Sequence, residues 1–515
     1  MDNKDNKDNK DKKIKEIKEI KRITITVNKN KTIRCRQGDN LFKVLSGAGY
    51  VFSGNCGGRG ACQRCMVDIS DEGTVKSCGY TVTRDIEVTV CSDGIPILTS
   101  YAQENDSNDI PAKTDVTLEN DKQIDSSTQK NRLGAAIDLG TTTIAMELVD
   151  MTNGATVDRR GFMNPQIEYG SDVISRIRVG STDDGLFKLR KAVVHKLACG
   201  LHDMADGTEG ISRVVISGNT TMNAILEGYT LDNLGHAPFI ISNSDAETMS
   251  GKDFFGVISS DEASVDDFSS DDAFSDISVT CLPNLSAFVG ADALCGALVC
   301  GIDRSDSYQL FADLGTNGEL ILAKQGIGYA TSCACGPAFE GMLKRGTAAP
   351  TTAFDLLDRL NTLHIVSDDG VLADQYLENG YRLAGGMVID MDMIRNFLLA
   401  KAAICAGIES LMDIAGICDQ DISKVYLAGG FGCSLRISSA VSLGLFPESF
   451  QEKAEFAGNT SLHGAHKCLI DETFIDRIYE FKETLTAINL GEFEGFDRRY
   501  YSHMDLRSWS PDNNK

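Results

Sequence analysis

Two kinds of residue in this 515-residue chain are arranged as if to do chemistry. The first are cysteines. Ser53 to Cys65 reads SGNCGGRGACQRC, which sets Cys56, Cys62 and Cys65 in a C-x5-C-x2-C spacing. Iron held tetrahedrally needs thiolates at fixed distances, and a glycine-rich loop lets backbone N–H groups turn toward bridging sulfides and stabilise an anionic cluster. Gly54, Gly57, Gly58 and Gly60 meet that demand. A structural zinc site would show two paired C-x2-C clusters, and the loop has one. A fourth iron ligand is needed, and two candidates follow, Cys78 and Cys91, while Cys35 reads as a core thiol.

The second kind are aspartates in a repeated turn. GAAIDLGTTTIAMEL (Gly134 to Leu148) returns as QLFADLGTNGELILA (Gln309 to Ala323), with Asp138 and Asp313 175 residues apart. Each copy ends a strand in an aspartate and continues into a tight hairpin, Gly140, Thr141, Thr142 and Thr143 in one, Gly315, Thr316, Asn317, Gly318 and Glu319 in the other. Backbone N–H groups and hydroxyls of such turns can cradle phosphate oxygens, and the aspartates can hold Mg2+ directly or through water. A second repeated pair, RVVISGNTT from Arg213 and KVYLAGGFG from Lys424, lies 211 residues apart. The latter ends in the glycine-rich stretch Gly429, Gly430, Phe431 and Gly432. It resembles a stretch of the sugar-kinase, Hsp70 and actin superfamily that lies against the nucleotide, and the resemblance implies that a side chain at Gly429 or Gly430 would collide with it. SCACGPAFEG (Ser332 to Gly341) reads as a helix start facing the phosphates, with Glu340 near the metal or the attacking water. Its Cys333 and Cys335 read as buried thiols, and Asn219 and Asp292 as cleft or capping residues.

These residues need elements to hold them. Residues 1–21 are charged DNK repeats with little to bury, a disordered tail. From Arg22, RITITVNKNKTIRCR alternates like a hairpin, Asn40 to Tyr50 reads as a short helix, and IEVTV (Ile86 to Val90) as a strand. Residues 22–98 thus form a β-grasp-like module, small enough to lean on a metal for stability. Residues 99–131 read as an acidic tether. Beyond it the texture is α/β, and the internal repeats imply two duplicated lobes facing a shared cleft, 132–305 and 306–495, followed by a tail, 496–515. Ile240 to Val279 holds ten acids and one lysine and reads as a solvated insertion in the first lobe. Leu285 to Ile302 reads as a buried helix, too short and too interrupted to span a bilayer. Asp390 to Ile414 reads as a core-facing helix stopping at Gly416.

Composition removes whole classes of function. The net charge of −24, from 74 acidic against 50 basic residues, argues against binding phosphate backbones or anionic membranes. The N-terminus lacks the apolar stretch of a signal peptide, so a reducing cytoplasm is expected, with thiols or metal ligands in place of disulfides.

The paired D-L-G-T-[TN] hairpins with AGGFG resemble the superfamily of sugar kinases, Hsp70 and actin, which implies an ATP cleft between two RNase H-like lobes. The cysteine loop resembles [2Fe-2S] ferredoxins of the adrenodoxin type, and that resemblance favours Cys78 as the fourth ligand, placed just before a terminal strand. With NPQIEYGSDVISRI (Asn164 to Ile177), SGNTTMNAIL (Ser217 to Leu226) and LPNLSAFVGAD (Leu282 to Asp292), the chain from Arg22 to about Leu490 resembles the reductive activators of corrinoid-dependent methyltransferases. That resemblance implies an ATP-hydrolysing iron–sulfur oxidoreductase. It would carry a [2Fe-2S] cluster, ATP and Mg2+, take an electron from a low-potential donor, and return the cobalt of a corrinoid protein from Co(II) to Co(I). It also suggests a homodimer. Larger members are expected to carry a further middle domain where this chain has only the tether. A small-molecule kinase is the alternative enzyme, although it has no use for a fused ferredoxin module; an ATP-driven cofactor reactivase is the alternative chaperone.

Overall fold

The computed structural model describes residues 22–27, 31–47, 65–90, 133–205, 207, 210–258, 274–315, 317–335, 352–383, 388–432 and 435–509. The chain divides into two compact units, Met1–Ile95 and Pro96–Lys515.

In the first unit, β1 (Arg22–Val27) pairs antiparallel with β2 (Lys31–Arg36), followed by α1 (Leu41–Gly47), β3 (Met66–Ile69), β4 (Gly73–Lys76) and β5 (Ile86–Thr89). The sheet order is β2-β1-β5-β3-β4, with the first and last strands parallel at its centre, as a β-grasp requires. The alternation of RITITV is what fixes the register: Ile23, Ile25 and Val27 all point inward against Leu41, Leu45 and Val88.

The second unit holds two six-stranded sheets in which five equivalent strands follow the same order and the sixth is added at opposite ends. The first contains β6 (Leu133–Leu139), β7 (Thr143–Asp150), β8 (Ala155–Met163), β9 (Ile211–Gly218), β10 (Glu247–Ser250) and β11 (Ser278–Cys281), in the order β10-β11-β9-β6-β7-β8. The second contains β12 (Gln309–Leu314), β13 (Gly318–Lys324), β14 (Ile327–Cys333), β17 (Lys424–Ala428), β18 (Ala454–Gly458) and β19 (Leu485–Ala487), in the order β18-β17-β12-β13-β14-β19; β15 (Tyr381–Arg382) and β16 (Val388–Ile389) form a small separate pair. In both sheets an antiparallel meander of three strands is flanked by parallel strands. The repeat seen in sequence is therefore a repeat in space, with Asp138 opposite Ser217 and Asp313 opposite Ala428.

Helices cover the sheets. In the first lobe these are α2 (Val173–Gly180), α3 (Asp183–Ala205), α4 (Thr220–Glu227) and α5 (Ala291–Val299), and the second contributes α6 (Met391–Ala415) and α7 (Thr460–Ile470). Helix α6 starts on the Asp390 side chain, which accepts from Met393 N, and stops at Gly416, whose φ of 66° suits a left-handed cap. Between the lobes α5 and α7 pack closely. A methyl group at Gly464 would lie 2.3 Å from Cys295 Cβ, and one at Gly296 would lie 2.3 Å from Phe311 Cζ. Ala136, Val215, Leu294, Phe311, Ile321 and Leu462 meet in one core that draws on both lobes.

Three expectations change here. The acidic insertion at 240–279 is only partly solvated: β10 pairs with β11, and Phe254, Phe255 and Phe274 are buried, with the last two rings stacked 4.1 Å apart. Its acids lie around an aromatic anchor that composition averaged away; residues 259–273 fall outside the described set. The stretch expected as a helix over Leu285 to Ile302 is helical only at Ala291–Val299, preceded by a loop closed by Leu285 N donating to Val289 O. The expected tail is an ordered strap as far as Trp509: a helix spans Phe496–Ser502, and the buried Lys401 Nζ donates to His503 O at 3.1 Å and Asp505 O at 2.7 Å. The N-terminal repeats and the tether lie outside the described residues.

Candidate functional site

The first hairpin is closed by Gly140 N donating to Thr143 O at 2.9 Å. Three side chains from other elements fix its outer side. Asn164 Nδ2 donates to Gly140 O at 2.9 Å, Arg176 Nη2 to Thr141 O at 2.5 Å, and Asn219 Nδ2 to Thr141 Oγ1 at 3.0 Å. Arg176 is fully buried on α2, and it also donates to Gly170 O and Gln166 Oε1. Burial lowers its pKa to about 10, still far above neutrality, so a permanent cation sits behind the turn. With its carbonyls held from behind, the turn keeps its remaining polar groups for a ligand. Asn219 in addition caps α4, its Oδ1 accepting from Met222 N at 3.0 Å.

The second hairpin repeats the closure, Gly315 N donating to Asn317 O at 2.9 Å. Its aspartate is pressed from the side by Gly429, which adopts φ 80° at the end of β17; a Cβ there would lie 2.2 Å from Asp313 Oδ1 and 2.8 Å from Leu314 O. The bare glycine expected for nucleotide clearance is thus already required by the aspartate itself. Gly430 is exposed beside it, Gly432 is buried, and the Phe431 ring turns into the core 5.7 Å from Phe354, leaving only its backbone for a ligand.

Four carboxyl groups from both lobes feel one another across the junction: Asp138, Asp292, Asp313 and Glu319. Burial raises Asp313 to about 8, with the charges of Asp292 and Asp138 adding to it, and raises Asp292 to about 7, with Asp138 adding. Burial and then Asp292 and Asp313 raise Glu319, whose Oε1 accepts from Ser332 Oγ at 3.3 Å. Asp138 is also raised by burial, but hydrogen bonds from Ser461 and Asn459 oppose the shift. Clustered acids that are costly to ionise together suit a cation as the missing partner. Among the described residues no three His, Cys, Asp or Glu side chains converge tightly enough to chelate an ion unaided.

The expected residues Asp138 and Gly140 to Thr143 thus lie on the first hairpin, and Asp313, Gly315, Asn317, Gly318 and Glu319 on the second, with Gly429 against Asp313. Thr316 and Glu340 lie outside the described residues. Cys333 and Cys335 are buried in the second lobe's core, their thiols pushed up by burial. Sequence reasoning assigned no role to Arg176, Asn164, Asn459 or Ser461. The first two lie in NPQIEYGSDVISRI, where an arginine among apolar helix positions was the available signal; the last two carried none.

In the first unit, Cys65 precedes β3 and Cys78 follows β4, so both sit at the open end of one hairpin. Ser77 N donates to Cys65 O at 2.8 Å, and Asn40 Nδ2 donates to Cys78 O at 2.8 Å, which pins both backbones. Cys65 is buried and Cys78 half-buried, and no disulfide engages them. Two thiols held at one end of a hairpin fit a metal cluster completed by further cysteines. Cys56, Cys62 and Cys91 lie outside the described residues. Cys35 faces inward from β2, its thiol raised by burial and then by Asp39 and Asp85. No described helix is long and apolar enough to cross a membrane.

Comparison with known proteins agrees with both parts. The chain is similar to the corrinoid activation enzyme RamQ of Eubacterium limosum, 24% identical over 548 aligned residues that cover 83% of this chain and 90% of that one. It is similar to the [Co(II) methylated amine-specific corrinoid protein] reductase of Methanosarcina barkeri, 21% identical, covering 69% and 73%. Among solved structures, a reductive activator for corrinoid,iron-sulfur protein shares the fold with a TM-score of 0.64 at 22% identity, covering 95% of this chain and 98% of its own. The model of the RACo middle region matches residues 133–305, and the model of the C-terminal domain of RACo, the ASKHA domain, matches 307–367 and 360–513. The middle-region model thus covers the same residues as the first lobe. With these two regions in order, the chain belongs to the RACo family.

Proposed function

We propose that this protein is an ATP-dependent reductive activator that returns a corrinoid protein's cobalt from Co(II) to Co(I) in a methyl-transfer system. The observation that carries the reading is the pair of equivalent hairpins, ending in Asp138 and Asp313, that meet across one lobe junction in a chain whose first unit is a β-grasp holding Cys65 and Cys78 at one end. When bound, a [2Fe-2S] cluster supplies a one-electron carrier and Mg2+ with ATP supplies the driving free energy. The residues of this chain bind and orient. The backbones of Gly140 to Thr143 and of Gly315 to Glu319 face the phosphates, Arg176 braces the first hairpin, and Asp138 and Asp313 hold the cation. Cys65 and Cys78 supply two thiolates, with Cys56 and Cys62 as the others. The RamQ relative is named for corrinoid activation, and the Methanosarcina barkeri relative as a corrinoid-protein reductase, which supports the partner class. A low-potential donor and a homodimer complete the proposal.

The energetic demand is moderate. A coupling of roughly 3 kcal/mol between nucleotide state and partner conformation equals about 130 mV for one electron. The test is an anaerobic assay with a reductant, a Co(II) corrinoid protein, and absorbance followed with and without ATP. Asp138→Ala and Asp313→Ala should each abolish ATP-dependent Co(I) formation while leaving the cluster's visible spectrum intact. Co(I) forming equally well without ATP would overturn the reading, and phosphorylation of a small acceptor would favour the kinase.

A further inference from the structure

Asp138 in lobe one is gripped from the start of α7, more than three hundred residues away in sequence. Asn459 Nδ2 donates to Asp138 Oδ2 at 2.8 Å, and Ser461 Oγ donates to Asp138 Oδ1 at 2.8 Å. Ser461 Oγ also lies 3.0 Å from Ser217 Oγ. A hydroxyl has one proton to give and the carboxylate is the stronger acceptor, so with Asp138 ionised Ser461 donates to it, and Ser217, the β9 residue directly opposite Asp138, is the alternative acceptor. Asn459 works in two directions. Its Oδ1 accepts from Leu462 N at 2.8 Å and caps α7, while its amide holds the aspartate. Both side chains are buried.

Among the described residues no side chain grips Asp313 in this way. Asp313 stands opposite Ala428, which has no side-chain donor, and its neighbour is the bare Gly429. The two aspartates are equivalent in fold and unlike in support.

Resting on the reading of the cleft as an Mg2+–ATP site, we propose that Asn459 and Ser461 are positioning residues for nucleotide hydrolysis, aiming the Asp138 carboxylate at the cation and tying it to α7. Each fixes one carboxylate oxygen by one lone pair, so the carboxylate cannot rotate about its Cβ–Cγ bond, while its other lone pairs stay available. Because α7 also packs through Gly464 onto α5 of the first lobe, this grip makes the aim of Asp138 depend on the seating of α7.

Two substitutions separate positioning from folding. Asn459→Asp keeps the cap acceptor for Leu462 N and removes the donor to Asp138. Ser461→Ala removes the other donor within a helix, where alanine is well tolerated. Each should lower kcat for ATP hydrolysis roughly tenfold to a hundredfold, the loss expected for a hydrogen bond to a charged group. KM should move less than kcat, and Ser461→Thr, which keeps a hydroxyl, should recover most of the rate. A second readout needs no turnover: calorimetric binding of ADP with Mg2+ and with EDTA. The gain in affinity given by Mg2+ should shrink at least severalfold in Asn459→Asp. Wild-type kcat and an undiminished Mg2+ gain in both variants would overturn the proposal, provided Asp138→Asn is inactive. An active Asp138→Asn would instead overturn the reading of the cleft on which it rests.

Discussion

Gly429→Ala is the sharpest perturbation the cleft offers. The residue has φ 80°, which costs an L-residue about 1–2 kcal/mol. The new methyl would lie 2.2 Å from Asp313 Oδ1, against an ordinary contact of about 3.4 Å, so the carboxylate must retreat by more than about 1 Å. Retreat along the other side is blocked by the backbone, since Leu314 O is only 2.8 Å from the same methyl. A misplacement of about 1 Å near a reacting group can cost about a hundredfold in rate. The expected result is therefore a loss of ATP hydrolysis of about two orders of magnitude, with a loss of stability larger than the backbone strain alone because the methyl also presses on the Leu314 carbonyl. Gly416→Ala supplies the control, because that glycine has φ 66° and nothing within 4 Å of the added carbon. It should lower stability by only the strain cost of about 1–2 kcal/mol in a urea melt and leave hydrolysis unchanged. If Gly429→Ala hydrolysed ATP at the wild-type rate, Asp313 would not need its observed position, and its assignment to the cation would fail.

Other perturbations test other parts of the structure. Arg176→Met leaves Thr141 O, Gly170 O and Gln166 Oε1 without their donor; a urea melt should show a loss of about 3 kcal/mol or more, and KM for ATP should rise. Glu147 is buried where desolvation alone would raise its pKa, yet the hydrogen bond from His466, the hydroxyl of Thr156 and the charge of Arg159 hold it at about 2. A carboxyl depressed by folding stabilises above its unfolded pKa of about 4.5 and loses that contribution as pH falls toward 2, on the order of 3 kcal/mol in all. Acid melts followed by circular dichroism should thus be less steep between pH 4.5 and 2 in Glu147→Gln. Replacing Cys78 with serine should remove the visible cluster spectrum, and replacing Cys91 should not; the reverse would reassign the fourth ligand.

What the sequence made legible follows from how local each signal is. The hairpins at Asp138 and Asp313 are short-range features of strand, glycine and hydroxyl, and two copies identified the duplicated fold. The alternation of RITITV and the 3.6-residue spacing of α6 are local in the same way. The insertion at 240–279 was misjudged because three buried phenylalanines are outnumbered by acids, and a packed edge needs only a few anchors. The strap after Phe496 was missed because its stability comes from Lys401, about a hundred residues earlier, whose burial no local pattern announces. Asn459 and Ser461 are the extreme case: they meet Asp138 across 321 and 323 residues, and an Asn-Thr-Ser start reads as an ordinary helix cap.

The core shared by Ala136, Phe311, Leu294 and Leu462 limits how this molecule can be taken apart. The break near residue 305 divides the chain into two similar folding patterns, and although each half keeps an apolar cluster of its own, this third cluster runs across the break. Expressed alone, either half would carry an open apolar face where its twin belongs. The repeat is therefore a likeness of design without full independence of parts: each copy keeps a core of its own, and a third core binds the two together.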